Sequence, residues 1–211
     1  MKKLILSTGI VALLAVQAHA GVVFVDLSSI AIPNTVDGIY INILSGTTQT
    51  TEPGDFNTAP WINLYVGGTG ISNSDALRPW ASQPAISYNA DNPGNYFLNL
   101  PVGTLIDGSG QFVSGEAASG FHIGGDSSQF QSGVTGYLAF EYDLVGGGTS
   151  YGWLSFSPND NGEGSSFALA YSTLPGESVL VGAVPEPASY GTLAGLFVLV
   201  TGISARRRRR A

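Results

Sequence analysis

The sequence predicts an all-β fold, an antiparallel β-sandwich of the jelly-roll-like kind, flanked by an N-terminal signal helix and a C-terminal transmembrane helix. Three observations lead there. Between the two ends, apolar and alternating runs of three to eight residues recur, rich in Val, Ile, Phe, Tyr and Trp. Glycine and proline, 29 and 11 in 211 residues, punctuate them together with Asn, Asp and Ser. No stretch between the ends carries the 3.6-residue periodicity of an amphipathic helix, and no internal repeat suggests a solenoid.

Taken in chain order, Lys2 and Lys3 followed by the apolar Leu4 to Val16 and the Ala18-His19-Ala20 site read as a secretory signal peptide over residues 1–20. Cleavage is expected between Ala20 and Gly21. Nine strands are expected in residues 21–183: Val22 to Leu27, Ile39 to Leu44, Trp61 to Val66, Tyr96 to Leu100, Gln111 to Val113, Tyr137 to Leu144, Tyr151 to Ser157, Ser166 to Ser172 and Ser178 to Ala183. That span is the size of one domain, long enough to bury about 70% of its unfolded surface. The clearest unit is the hairpin across Gly146-Gly147-Gly148. Leu138, Phe140, Tyr142 and Leu144 alternate with Tyr137, Ala139, Glu141 and Asp143 on its first strand, and Leu154 and Phe156 alternate with Tyr151, Trp153, Ser155 and Ser157 on its second. The first-named set on each strand is assigned to the core.

Charge excludes several functions. Residues 21–183 hold fourteen carboxylates against the single base Arg78, a balance of −13, because Lys2, Lys3 and Arg206 to Arg210 account for the other cations. Nucleic acid is excluded as a partner, since phosphate recognition needs clustered Lys or Arg. Lysine-dependent phosphate loops and Schiff-base chemistry are excluded with it, and the absence of cysteine removes disulfides, thiolate metal sites and thiol nucleophiles. A domain of this sign repels acidic polysaccharide unless divalent cations bridge the carboxylates or aromatic rings stack on neutral sugars.

Candidate sites inside the domain are few. Glu141 and Asp143 stand two residues apart on one strand face, about 6.7 Å along the strand, a spacing open to paired-carboxylate glycoside hydrolysis; the plainer and favoured reading is two solvated acids on an outer face. His122 is the one histidine outside the signal peptide, with no nucleophile-elbow motif to make it part of a triad. Pro158-Asn159-Asp160-Asn161-Gly162-Glu163-Gly164 groups the oxygen ligands Asp160, Asn161 and Glu163 as a weak calcium candidate, and equally fits a plain Asn/Asp/Gly turn. No other cofactor is expected. Among the aromatics, Tyr137, Tyr151 and Trp153 are the outward-facing candidates for sugar stacking; the favoured alternative is that these rings cover a second core or a sheet edge.

The last 28 residues carry the most. Val184-Pro185-Glu186-Pro187-Ala188-Ser189 leads into Ala188 to Ala205, 18 uncharged residues. As a helix these span about 27 Å, enough to cross a hydrocarbon core of about 30 Å. Arg206, Arg207, Arg208, Arg209 and Arg210 follow as a stop-transfer block that stays cytoplasmic, which places everything before Ala188 on the far side of the membrane. An N-terminal signal peptide, a Val-Pro-Glu-Pro-Ala-Ser motif, one hydrophobic segment and an arginine cluster together resemble the PEP-CTERM family of exported bacterial proteins. A looser echo is Gly148-Thr149-Ser150-Tyr151-Gly152-Trp153-Leu154, a Tyr-Gly-Trp strand some thirty residues before the tail.

The resemblance implies sorting by an exosortase, a membrane transpeptidase that recognises Pro185-Glu186-Pro187, cuts near it and releases residues 21–183. It implies an inner-membrane anchor held transiently and a final place at the cell surface or in the extracellular matrix of a Gram-negative bacterium that exports polysaccharide and forms biofilm. The tail alone also fits a permanent anchor with a stiff proline spacer. The expected function is a non-enzymatic exported protein acting by adhesion, binding or structural presence in a polysaccharide matrix, and the alternative is a secreted polysaccharide hydrolase using Glu141 and Asp143.

Overall fold

The computed structural model describes residues 21–83, 96–114, 116–117, 123–124 and 128–183. Twelve strands are present among them: β1 (Val22–Ile32), β2 (Ile39–Asn42), β3 (Thr48–Gln49), β4 (Trp61–Tyr65), β5 (Gly70–Asn73), β6 (Leu77–Pro79), β7 (Leu105–Ile106), β8 (Glu116–Ala117), β9 (Gly136–Asp143), β10 (Thr149–Ser157), β11 (Gly164–Ser172) and β12 (Val179–Leu180). A 3₁₀ turn at Val66–Gly68 is the one helical element among the described residues. The all-β expectation holds for them, and every ladder between strands is antiparallel.

Two five-stranded sheets form, sheet A in the order β1-β11-β10-β9-β6 and sheet B in the order β3-β2-β4-β5-β8. The hairpin register is the expected one. Phe140 pairs with Gly152 and Leu138 with Leu154, so the alternation places Leu138, Phe140, Tyr142, Leu154 and Phe156 on one face, all fully buried. They meet Ile39, Ile41, Ile62, Leu64 and Ile71 of sheet B in one core. Burying Leu138, Phe140, Leu154 and Phe156 contributes about 1.5 to 3 kcal/mol each before entropy is subtracted. Gly152 is required by this packing: a Cβ there would stand 2.5 Å from Phe140 Cζ and 2.6 Å from the Ala170 carbonyl oxygen. The glycine of the Tyr-Gly-Trp strand lets an aromatic ring cross the sheet.

The other face of sheet A is also packed, as the favoured reading of its aromatic rings expects. β7 and β12 pair into a third, two-stranded sheet that lies over it. Ile106, Val179 and Val181 point inward and pack with Leu100 on Ala139, Tyr151, Trp153 and Ala170 as a second core. Sheet A is therefore packed on both faces. The face expected to be wet at Glu141 and Asp143 carries, at Tyr151 and Trp153, the second core that is the favoured reading of those rings.

Strand limits shift where local signals were weak. β1 runs five residues beyond Leu27 by taking a bulge between Asp26 and Ile30 and pairing on to Gly164. Tyr96 to Leu100 and Gln111 to Val113 make only single bridges, Ala81 to Phe97, Asn99 to Leu138 and Trp80 to Phe112. Ser178 to Ala183 shortens to the two residues of β12.

Candidate functional site

The outer face of sheet A, at its β6–β9 edge, gathers the chemically capable side chains of the described domain. β6 lies beside β9 with Arg78 opposite Glu141, and β10 continues the row with Tyr151 opposite Glu141. Arg78 Nε donates to Glu141 Oε1 at 2.6 Å, while Nη2 and Nη1 form a fork on Asp143 Oδ1 and Oδ2 at 2.6 and 3.1 Å. Nη1 also reaches the Asp75 carbonyl at 3.5 Å. The only base among residues 21–183 thus binds both candidate acids at once. The acids are not the two free carboxylates that their position on an outer face suggested. Parallel N–H bonds from a planar guanidinium to a carboxylate are among the stronger polar contacts a protein makes.

This arrangement fixes charge. The Arg78 hydrogen bonds hold the Asp143 carboxyl below the usual carboxylate range, and the same bonds raise the Arg78 guanidinium further above its already high value. Glycoside hydrolysis by a carboxylate pair needs one member kept protonated by a raised pKa. Arg78 pushes Asp143 the opposite way. Tyr151 is raised by its burial first, and then by the charges of Glu141 and Asp107.

The aromatic residues divide by exposure. Trp153 is 2% and Tyr151 7% exposed, so neither ring is an outward-facing sugar platform and both lie in a second core, the favoured alternative for them. They serve the second core: Trp153 packs edge-on to Tyr137 at 5.5 Å and tilted to Phe24 at 6.3 Å, with its Nε1 left without a hydrogen-bond partner. Tyr137 remains half-buried. Trp80 and Phe112, also half-buried, pack on each other at 5.4 Å, and Phe112 reaches Tyr151 at 5.9 Å. On sheet B, Trp61 Nε1 donates to Asp55 Oδ1 at 2.9 Å and Tyr40 meets Phe56 edge-on at 5.4 Å, which ties the 50–60 loop across that sheet.

The Asn/Asp/Gly segment joins β10 to β11 as a turn braced by its own side chains. Asp160 Oδ1 accepts from Ser132 Oγ and from Asn161 Nδ2, both at 2.7 Å, and Asn159 bridges to the Asn161 amide and the Glu163 carbonyl. The turn docks on Gly67, whose φ of 66° and contact with the Asn159 and Gly162 carbonyl oxygens leave no room for a side chain. Beside it Val66 is the one non-glycine residue at positive φ among those described, 49°, held by a bond from its amide to the Thr35 carbonyl and by Thr69 bonding back to its carbonyl. Among the described residues no group of three or more His, Cys, Asp or Glu side chains is placed to hold a metal ion.

Gly21, the expected first residue after cleavage, is buried, and its carbonyl accepts from the Thr173 amide and hydroxyl at 2.8 and 3.0 Å. Ala20, His122, Pro185, Glu186, Pro187 and Arg206 to Arg210 lie outside the described residues, as does the 188–205 segment. Among the described residues no helix is long and apolar enough to cross a membrane. Arg78 is the site residue that strand-by-strand reading passed over. The signal was its isolation, since a lone base among fourteen acids must choose partners. No protein-family model, no curated protein and no solved structure matches the chain.

Proposed function

We propose that the chain is an exported, non-enzymatic surface or extracellular-matrix protein, sorted by an exosortase through its tail and acting by adhesion, binding or structural presence in a polysaccharide matrix. The observation that carries this reading is the order of the tail: Pro185-Glu186-Pro187, 18 uncharged residues, then five arginines. The Ala18-His19-Ala20 site at the other end fits the same route.

Glu141 and Asp143, tied to Arg78, support a structural role for the acid pair over a hydrolytic one. The two large sheets sharing one core support the sandwich reading. Chain crossings from β1 to β2, β5 to β6 and β8 to β9 lean toward a jelly roll, while the β9-β10-β11 meander departs from its alternation between sheets. With a domain balance of −13, the matrix partner is a neutral glycan or an acidic one bridged by divalent cations.

The test is replacement of Pro185, Glu186 and Pro187 by alanine in a host that carries an exosortase. The expected result is a product held in the membrane at its unprocessed size. Release of material unchanged in size and amount refutes the sorting reading.

A further inference from the structure

The small β7–β12 sheet has two unlike faces. Ile106 and Val179, paired with each other, point inward and are 0% and 2% exposed, whereas their neighbours Leu105 and Leu180, also paired, point outward and are 48% and 42% exposed. Directly paired side chains share a face. Val102, 65% exposed, joins them through its approach to Gly182. Three large apolar side chains thus stand in water on one small sheet. Neither β7 nor β12 holds a charged residue, and the nearest carboxylates in sequence are Asp107 and Glu177 at their flanks.

The sequence after Ala183 limits how far this face can lie from the apolar segment. Five residue steps separate Ala183 from Ala188, where the 18-residue apolar segment begins, and even fully extended these reach only about 17 Å. Pro185 and Pro187 keep the connection stiff. We infer that, while the tail is anchored, the outward face of the β7–β12 sheet, with Val102, Leu105 and Leu180, rests on the lipid bilayer at the level of the headgroups. The inference depends on the anchored-tail reading and adds an orientation to it.

A short tether makes a weak contact sufficient, because the effective concentration of the face at the membrane is set by the linker and not by bulk affinity. Leu and Val side chains at the interface lose apolar surface to the acyl boundary, and the outward side chains of this sheet, Val102, Leu105 and Leu180, carry no charge into the headgroups. A second copy of the chain is a poorer occupant, since three side chains fall far short of the roughly 800 Å² per partner of a stable association.

The chain has no cysteine, so single labels are clean. Leu105→Cys, Leu180→Cys, Val36→Cys and Thr192→Cys versions of the full chain, each carrying a bimane, are reconstituted into phosphatidylethanolamine–phosphatidylglycerol vesicles containing headgroup-level nitroxide lipid. Val36, 82% exposed, lies in the connection that carries the chain from β1 of sheet A to β2 of sheet B, where its neighbour Thr35 accepts a bond from the Val66 amide. Labels at 105 and 180 are expected to be quenched at least about twofold more than the label at 36, given burial of some 5–10 Å at an interface. Quenching at 105 and 180 no greater than at 36, with the label at 192 quenched, overturns the docked face and leaves the anchor standing. An unquenched label at 192 overturns the anchor and the docked face with it.

Discussion

Replacing Arg78 with methionine removes the one cation that closes the β6–β9 edge, and the geometry sets the size of the effect. Arg78 and Glu141 side chains are 23% and 18% exposed, while Asp143 is 57% exposed. Exposed ion pairs are worth about 0 to 1 kcal/mol and breaking a fully buried one costs about 3 to 5 kcal/mol. The Glu141 contact lies between those limits and the Asp143 contact near the lower one, which puts Arg78→Met at about 2 kcal/mol. For a domain of this size that lowers the melting temperature by roughly 4 to 8 °C. Acid dependence gives a second reading. Arg78 depresses the Asp143 pKa in the folded state, so this stabilisation is present above the unfolded carboxylate value of about 3.9 and is lost as pH falls through the depressed folded value. The difference between parent and variant therefore shrinks as the solution is acidified. Thermal melts of residues 21–183 from neutral to acid pH measure both effects, with Arg78→Met/Glu141→Gln/Asp143→Asn expected to recover part of the loss. A variant that melts with the parent at neutral pH and follows the same acid limb refutes the closing role of Arg78.

Phe140→Asp places a carboxylate where exposure is 0% and should abolish cooperative unfolding, while a soluble, protease-resistant variant would refute the hairpin register. Gly67→Ala forces a Cβ against two backbone carbonyls at a left-handed φ and is expected to cost about 2 kcal/mol or more, read as a lower denaturant midpoint; an unchanged midpoint would show that the 3₁₀ turn is not docked on the 158–164 turn. Trp153→Ala should destabilise by about 3 to 5 kcal/mol through the cavity it leaves under β7 and β12, and a loss of glycan binding without loss of stability would contradict the buried position of the ring.

How much of this was legible in the sequence depends on how local the deciding interaction is. β9 and β10 were readable to within a residue or two because strict alternation around three glycines leaves one face for Leu138, Phe140, Leu154 and Phe156. β3, β7 and β8 have two residues each, too short for a period to show, and β5 opens on a glycine. The third sheet was hidden for another reason. Alternation says which residues share a face and not what covers it; Tyr151 and Trp153 together favoured a second core without showing which strands would build it. Glu141 and Asp143 were visible as a pair, but their partner Arg78 lies 63 and 65 positions away, and no spacing rule joins a strand to its cross-strand neighbour at that range.

The pairing of β1 with β11 also governs when the domain can become a domain. Ser166 bonds to the Ile30 carbonyl across 136 positions, and Thr173 to Gly21 across 152. A polypeptide delivered from its amino end, whether by a ribosome or through a pore, presents β1 long before any partner for it exists. Contacts of such high sequence separation fold slowly, so this strand waits as unpaired backbone until nearly the whole domain has arrived. Completion of sheet A is thus timed by the end of delivery, while β2, β4 and β5 of the opposite sheet already have their partners within residues 39–73.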